Sequence, residues 1–233
     1  IALLVRQHLI RAALEMLHCY SLIHDDMPCM DNDDYRRGRL SCHKQYGEAT
    51  ALLAADALVT AAFEAVANAP THPQSRVQAA AHLAKAAGAR GMLYGQELDK
   101  HYETVYASES ELLELHAHKT GALIIAGVDL GCDAAQADDA LCTALQHYAA
   151  ELGLVFQIVD DILDVTATTE ELGKPVGSDA ENDKTTFITL YGLEGARSLA
   201  KQHNDAALAA LADLGPEADF LREMAVELLT RSK

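Results

Sequence analysis

The feature that most constrains this chain is a narrow acidic stripe in an otherwise apolar segment, residues 155–165, with the sequence VFQIVDDILDV. Its polar side chains are spaced at i, i+3, i+4 and i+7, which places them on one face of an α-helix. They are Gln157, Asp160, Asp161 and Asp164. The other residues are large and apolar, so we expect the helix to be buried around most of its circumference. A solvated surface stripe is the ordinary alternative, but these flanks are too apolar for a helix bathed in water.

The three aspartates of this stripe predict a metal site. Carboxylates within two helical turns repel one another, and in a partly apolar site they take up protons or need a strong counter-charge. Lysine or arginine could supply that charge. Divalent cations supply it more compactly, and the hard oxygen atoms of carboxylates suit Mg²⁺.

The rest of the sequence favours a helical bundle around this segment. Half of the residues are hydrophobic, only 5% are aromatic and tryptophan is absent. This composition is typical of helices packed closely through small side chains. No segment shows the sustained period-two alternation of β-strands. We therefore expect an all-α fold, a single helical bundle around a central cavity, in one domain that spans residues 1–233.

Turn and capping signals, including the capping-box pattern of Ser108 and Glu111, divide the chain into helical segments. The predicted helices are residues 1–24, 46–69, 76–93, 109 to about 131, 137–165, and two closing helices that are separated near Gly215 and Pro216. A polar loop is expected at residues 173–184. The chain begins partway through a helix, so we expect an N-terminal portion to be missing upstream.

A second acidic cluster lies at residues 25–34 and is followed directly by Arg36 and Arg37. On an ideal helix Asp25 and Asp31 would not share a face, but Pro28 interrupts the helix, and a local bulge could bring them together. Acids followed by arginines are what a metal-diphosphate site needs, because carboxylates bind the metal and guanidinium groups bind the remaining phosphate oxygens. A charged surface loop is the alternative, and a second cluster flanked by apolar helix argues against it.

The net charge of −17 limits the partners of the protein. A surface this acidic repels nucleic acid, and it would also repel phosphorylated substrates unless metal ions neutralised both sides. The five cysteines form no CxxC motif, which indicates a reducing, cytoplasmic setting. No membrane span is expected, since the best apolar stretch, residues 49–69, is broken by Asp56 and Glu64.

These motifs resemble the trans-prenyl diphosphate synthase family, and most of all its bacterial farnesyl diphosphate synthases. The resemblance rests on HDDMPCMDNDDYRRGR, GQELD, HKTGALI, FQIVDDILDV, LGKPVG and DKTTF, in the order of the family, and covers the chain from about His18 onward. One departure is the family's upstream Gly-Gly-Lys-x-Arg motif, whose Lys and Arg bind isopentenyl diphosphate and which this sequence does not contain.

The resemblance implies condensation of isopentenyl diphosphate with allylic diphosphates, dimethylallyl or geranyl, to farnesyl diphosphate with release of diphosphate. It also implies about three Mg²⁺ ions per active site and a homodimer. A longer-chain, geranylgeranyl diphosphate synthase is one alternative. A non-catalytic subunit of a heteromeric synthase is another, although this chain retains both aspartate motifs.

The resemblance also implies residue roles. Asp25, Asp31 and Asp160 would bind the metal ions, with Asp26, Asp161 and Asp164 supporting them. The substrate-binding residues would be His18, Arg36, Arg37, Lys119, Thr120, Gln157, Lys174 and Lys184. Of these, Lys119, Thr120 and Gln157 would be catalytic, the last two through oxygen atoms near the developing carbocation. His18 and Arg37 would contact isopentenyl diphosphate.

Tyr20 would limit product length by closing the end of the cavity that holds the tail of the growing chain. Without the resemblance, the ordinary interpretation of several of these residues is structural. His18 and Tyr20 would be core residues, and Lys174 and Lys184 would be solvated loop lysines.

Overall fold

The computed structural model describes residues 2–166 and 184–231, with side chains from His8 onward, and it confirms the all-α fold. The long helices are α1 (Ala2–Asp25), α3 (Glu48–Ala67), α4 (Pro73–Ala87), α5 (Met92–Tyr102), α7 (Ala122–Ala135), α8 (Asp139–Thr166) and α9 (Phe187–Ala210). Two short helices, α2 (Cys42–Tyr46) and α6 (Glu109–His116), lie between them, and a 12-residue helix, α10 (Asp219–Thr230), follows α9. Lys174 and most of the expected loop 173–184 lie outside the described residues.

Helix α1 packs along α3 through small side chains. Ala13, Ala55 and Ala62 are fully buried and belong to one apolar cluster with Leu17 and Leu83. Alanine at these positions lets the two helix backbones approach closely, as the composition predicts. This packing holds the C-terminal end of α1, where Asp25 lies, against the interior of the bundle.

A short antiparallel hairpin interrupts the helices after α1. Strand β1 (Tyr35–Arg36) pairs with β2 (Arg39–Leu40), with Arg36 opposite Arg39. Arg37 and Gly38 form the turn, both with positive φ angles (53° and 74°), as two-residue hairpin turns require. No period-two signal predicts this hairpin, because its strands have only two residues each.

The predicted continuous helix over residues 76–93 is wrong. Helix α4 ends at Ala87, and α5 begins at Met92 after a tight connection. Cβ atoms added at Gly88 and Gly91 would lie 2.5 Å and 2.2 Å from the carbonyl oxygens of Ala84 and Ala86, so only glycine fits this close backbone approach. The resulting change of direction brings α5 towards the acidic clusters.

Helices α6 and α7 are joined by a π-helical segment, Ala117–Gly121, so the predicted helix from residue 109 to about 131 contains a turn of different geometry. The expected capping box at Ser108 and Glu111 begins α6. The π segment packs between two glycines of neighbouring helices. A Cβ on Gly95 would lie 2.1 Å from the Lys119 backbone nitrogen, and one on Gly153 would lie 3.2 Å from the Gly121 Cα.

Helix α8 runs through the bundle and carries the acidic stripe. Val155 and Ile158 on it are fully buried in a second apolar cluster, which includes Phe187 and Ala196 of α9. Helix α9 is kinked at Gly192, where φ is 68°. A 3₁₀ turn at Pro216–Ala218 separates α9 from α10, where the sequence predicts a break.

Helix α3 is both long and strongly apolar. By length and composition alone it is the one helix among the described residues that could cross a membrane, a property that core helices of globular proteins share. Only part of it is buried against the rest of the chain. Leu52 and Leu53 are 46% and 66% exposed.

Candidate active site

One cavity brings the two acidic clusters together. Asp31 of the first cluster and Asp160 and Asp161 of the second line the same cavity, together with Lys119, Gln157 and Lys184. The acidic stripe of α8 therefore faces the end of α1, as the sequence predicts. Asp99 of α5 also lines the cavity.

The chain turns back on itself after α1, and this turn carries the first cluster. The Met30 N–H donates to the Met27 carbonyl oxygen (2.8 Å), and the Asp31 N–H donates to the carbonyl oxygen of Asp25 (2.9 Å). Pro28 lies exposed at the outside of the turn. The backbone of Asp31 is thus adjacent to that of Asp25 although six positions separate them, which is the local distortion that Pro28 predicts.

Asp26 lies behind the first cluster and is paired with Arg36. The Asp26 carboxylate is almost fully buried and accepts hydrogen bonds from the Arg36 guanidinium, with a distance of 3.0 Å from Nε. Burial opposes the charge of the Arg36 guanidinium, but its bond to Asp26 raises its pKa overall. This pair fixes the β1–β2 hairpin against the end of α1.

Asp25 carries a charge that its surroundings compensate poorly. Burial raises the pKa of its carboxyl group, the charges of Asp31 and Asp99 add to this, and the Lys119 charge only partly opposes it. Its direct hydrogen-bond donor is the neutral amide of Gln96 on α5. A carboxylate in this position favours a nearby divalent cation.

Asp99 is better compensated than Asp25. Its carboxylate lies 2.6 Å from Lys119 Nζ and 3.7 Å from Lys184 Nζ. Burial alone would raise its pKa, but the two lysines lower it below the ordinary value. Burial also opposes the charge of Lys119, while Asp99 and Asp25 raise its pKa overall. Lys119 is therefore charged at the wall of the cavity.

Asp31, Asp99 and Glu103 form a cluster in which one ligand oxygen of each lies within 4.8 Å of the others. Three hard oxygen donors at this spacing fit Mg²⁺. Lys100 lies among them, 3.1 Å from Asp31 and 2.7 Å from Glu103. No sequence motif indicated a role for Asp99 or Glu103, although Asp99 ends the GQELD motif and follows Gln96 by one helical turn.

The π segment presents Lys119 to the cavity and Thr120 to Gln157, which also lines it. The close packing of the Lys119 backbone against Gly95 positions the Lys119 side chain beside Asp99. A turn with i→i+5 hydrogen bonds is common at functional sites. Thr120 Oγ1 donates to Gln157 Oε1 on α8 (3.2 Å). The three residues predicted to be catalytic are therefore adjacent, on two helices that meet at the cavity.

The second cluster is divided between the cavity and the interior. Asp160 is partly exposed and pairs with Arg231. Asp161 is buried, and its Oδ2 accepts the backbone N–H of Phe187 (2.8 Å) at the beginning of α9. Asp164 is also buried. Asp161 therefore supports the position of α9 and of Lys184 just before it.

Other predicted residues lie away from this cavity wall. His18 is half-buried on α1, and Arg37 is exposed in the hairpin turn. Tyr20 is buried in the apolar cluster between α1, α3 and α4, with its ring edge-on to His24. The predicted roles of these three residues stay predictions.

His116 is a cavity residue that the sequence analysis missed. It is buried at the end of α6, its ring packs on Phe187 at 5.4 Å, and its Nδ1 has no hydrogen-bond partner among the described residues. Burial lowers the pKa of His116 to about 3, so the ring is neutral. It therefore adds no charge beside Lys119.

Comparisons with known proteins identify the family of this chain. Residues 4–215 match the model of the family described as Polyprenyl synthetase. The chain is 44% identical to farnesyl diphosphate synthase from Micrococcus luteus over 221 residues, 95% of this chain and 76% of that protein. It is 47% identical to chloroplastic geranylgeranyl pyrophosphate synthase from Capsicum annuum over 195 residues, which cover 82% of this chain and 53% of that protein.

Among solved structures, the chain resembles a geranyltransferase from Helicobacter pylori complexed with magnesium and isoprenyl diphosphate. The TM-score is 0.86 at 39% identity, and the match covers 96% of this chain and 74% of that one.

Proposed function

Because the chain belongs to the polyprenyl synthetase family, we propose that it is a trans-prenyltransferase that condenses isopentenyl diphosphate with dimethylallyl or geranyl diphosphate to farnesyl diphosphate. The observation that carries the proposal is the shared cavity, in which Asp31 faces Asp160 and Asp161 across Lys119 and Lys184. In such a cavity the carboxylates can hold cations and the lysines can bind phosphate oxygens. This arrangement fits a diphosphate substrate better than it fits an uncharged substrate.

Asp25, Asp31 and Asp160 would hold Mg²⁺, about three ions in all, and the position of Asp99 and Glu103 beside Asp31 adds two further ligand candidates. Bound Mg²⁺ would draw negative charge onto the diphosphate leaving group. Asp26, Asp161 and Asp164 would support the ligands. Asp26 does so through Arg36, and Asp161 through the backbone of α9.

The basic residues would orient the two diphosphates. Lys119 and Lys184 lie at the cavity and would contact the allylic diphosphate, as would Arg36 and Lys174. His18 and Arg37 would contact the diphosphate of isopentenyl diphosphate. Forked donors such as arginine hold two phosphate oxygens at once, which restricts the direction in which the diphosphate leaves.

Thr120 and Gln157 would stabilise the allylic carbocation that forms when the diphosphate leaves. The Thr120 hydroxyl donates to the Gln157 amide oxygen, so the lone pairs of both oxygens have fixed directions. Such pre-oriented dipoles stabilise a developing charge without reorganisation during the reaction. The proton lost from the coupled product would go to the released diphosphate, and the apolar walls, Leu112 and Leu115 among them, would exclude water.

The test is an incubation of the protein with Mg²⁺, isopentenyl diphosphate and geranyl diphosphate, followed by chromatography of the products. Farnesyl diphosphate as the main product supports the proposal. Twenty-carbon product would instead favour the geranylgeranyl alternative, which the Capsicum annuum relative supports. No product from the wild type, together with none from dimethylallyl diphosphate, would favour a non-catalytic subunit.

A homodimer is part of the same proposal, and the exposed apolar face of α3 supports it. Leu53 is 66% exposed on this helix, and a face of this kind is typical of a protein–protein contact. Leu53→Glu should convert the dimer to a monomer in size-exclusion chromatography with light scattering. Val105→Glu, at an apolar residue 47% exposed in a loop, is the control and should leave the mass unchanged.

The cytoplasmic setting remains part of the proposal. All five cysteines lie in the described part of the chain and are free thiols, which suits a reducing compartment.

A further inference from the structure

Arg231 follows α10 and reaches back to the acidic stripe of α8. Its Nη2 lies 3.3 Å from Asp160 Oδ1 and donates to the carbonyl oxygen of Phe156 (3.1 Å). Its guanidinium carbon lies 4.3 Å from the centroid of the Phe156 ring. Two residues on one turn of α8 therefore contact this cation, and one of them is a predicted metal ligand.

The contacts of Arg231 are those of an exchangeable cation and not of a tight structural pair. Its distance to Asp160 is longer than the 2.7–2.9 Å usual for a charge-assisted bond, whereas Arg222 of α10 lies 2.6 Å from Asp219. Nε of Arg231 is buried and has no partner among the residues that the structure describes. Burial lowers the pKa of Arg231, and Asp160 only partly opposes this effect.

The Asp160 carboxylate keeps a route to the cavity while it is paired. Its side chain is 39% exposed, against 21% for Arg231, and it lines the cavity with Asp31 and Lys119. A divalent cation can therefore reach Asp160 from the cavity side. The guanidinium approaches from the side of α10.

We propose that Arg231 and a divalent cation compete for the Asp160 carboxylate, so that metal binding releases Arg231 and loosens the end of α10. The proposal rests on the assignment of Asp160 as a metal ligand in the proposed function. Arg231 is then a counter-cation that lowers the affinity of the second acidic cluster for metal and links α10 to the state of the active site.

The test measures Mn²⁺ binding to the whole protein by electron paramagnetic resonance of the free ion. Arg231→Gln should bind Mn²⁺ about three- to tenfold more tightly than the wild type, which corresponds to about 0.7–1.4 kcal/mol. Arg231→Lys retains the charge and should stay near the wild type. Arg197→Gln, which removes an exposed arginine paired with Glu194, is the matched control and should change nothing.

Asp160→Asn separates failure of this inference from failure of the metal assignment. If Asp160→Asn weakens Mn²⁺ binding while Arg231→Gln binds it no better than the wild type, the competition is refuted and the metal ligand stands. If Asp160→Asn binds Mn²⁺ as the wild type does, the ligand assignment fails and the competition fails with it.

Hydrogen exchange of the wild type provides a second measurement that needs no variant at position 231. Mn²⁺ should accelerate amide exchange at residues 219–231 relative to the protein in EDTA, because α10 loses its contact with α8. Unchanged or slower exchange there would refute the release of Arg231, whatever the stability of the variants.

Discussion

Gly95→Ala should both destabilise the bundle and displace Lys119. The added Cβ would lie 2.1 Å from the Lys119 nitrogen and 2.4 Å from its Cα, and these backbone atoms cannot rotate away as a side chain can. Ordinary contact begins near 3.4 Å, so α5 and the π segment would separate by about 1.3 Å. Overpacking of this kind costs about 1–3 kcal/mol, and we expect about 3 kcal/mol because backbone meets backbone.

The same displacement should reduce turnover. Lys119 Nζ lies 2.6 Å from Asp99, and a separation of more than 1 Å breaks that contact. A misplacement of about 1 Å at a reacting site costs on the order of 100-fold in rate. Urea unfolding followed by circular dichroism measures the stability, and product formation from geranyl diphosphate under conditions where the variant is folded measures the rate.

Two further glycines calibrate this prediction. Gly131, in α7, has nothing within 4 Å of an added Cβ among the described residues, so Gly131→Ala should stabilise the helix by about 0.5–1 kcal/mol. Gly153→Ala meets Gly121 at 3.2 Å and should fall between the two. If Gly95→Ala is as stable and as active as Gly131→Ala, the close packing of α5 does not position Lys119.

Three further variants test other parts of the site. The pKa of His116 is about 3 in the folded protein, against 6.5 ordinarily. As the pH falls from 7 to 5, the imidazole therefore takes up a proton in the unfolded chain but not in the folded protein. This difference should lower the free energy of unfolding by about 2 kcal/mol over that range. His116→Phe should remove that part of the loss, and an unchanged loss in urea titrations would refute the burial argument. Asp25→Asn should raise the urea midpoint at pH 7 in EDTA, because the raised pKa of Asp25 means that its ionised form destabilises the folded protein at neutral pH. This gain in stability should vanish as the pH falls through that pKa. The same variant should bind Mn²⁺ more weakly at pH 7. Tyr20→Ala should lengthen the product to twenty carbons or more while costing about 3–5 kcal/mol; fifteen-carbon product with only the stability loss would make Tyr20 a core residue alone.

Local patterns predicted the elements whose signals lie within a few residues. The i, i+3, i+4, i+7 stripe predicted α8 and its acidic face, Pro28 predicted the distorted end of α1, and Ser108 with Glu111 predicted the start of α6. Each of these depends on helix periodicity or on a single backbone restriction.

The features that the sequence did not reveal depend on contacts between distant segments. The break at residues 88–91 and the π segment need glycines that face the backbone of another turn or helix, and a glycine in a helical pattern has no distinctive signal of its own. Glu103 and Lys100 join the site because α5 ends beside Asp31, and Arg231 joins it from the other end of the chain. His116 resembles an ordinary core histidine until its neighbours are known.

The π segment also sets the rotational phase between α6 and α7. A turn with i→i+5 hydrogen bonds contains one residue more than an α-turn, which delays the 3.6-residue repeat by one position, or about 100°. Leu112 and Leu130 are 18 residues apart, which is five turns of an uninterrupted α-helix, so without the π segment they would share one face. The extra residue of the π segment turns Leu130 by about that angle relative to Leu112. Deleting one residue from Ala117–Gly121 would restore the uninterrupted repeat and turn the whole of α7 by that angle, so a single-residue deletion there would misdirect a core as well as an active-site lysine.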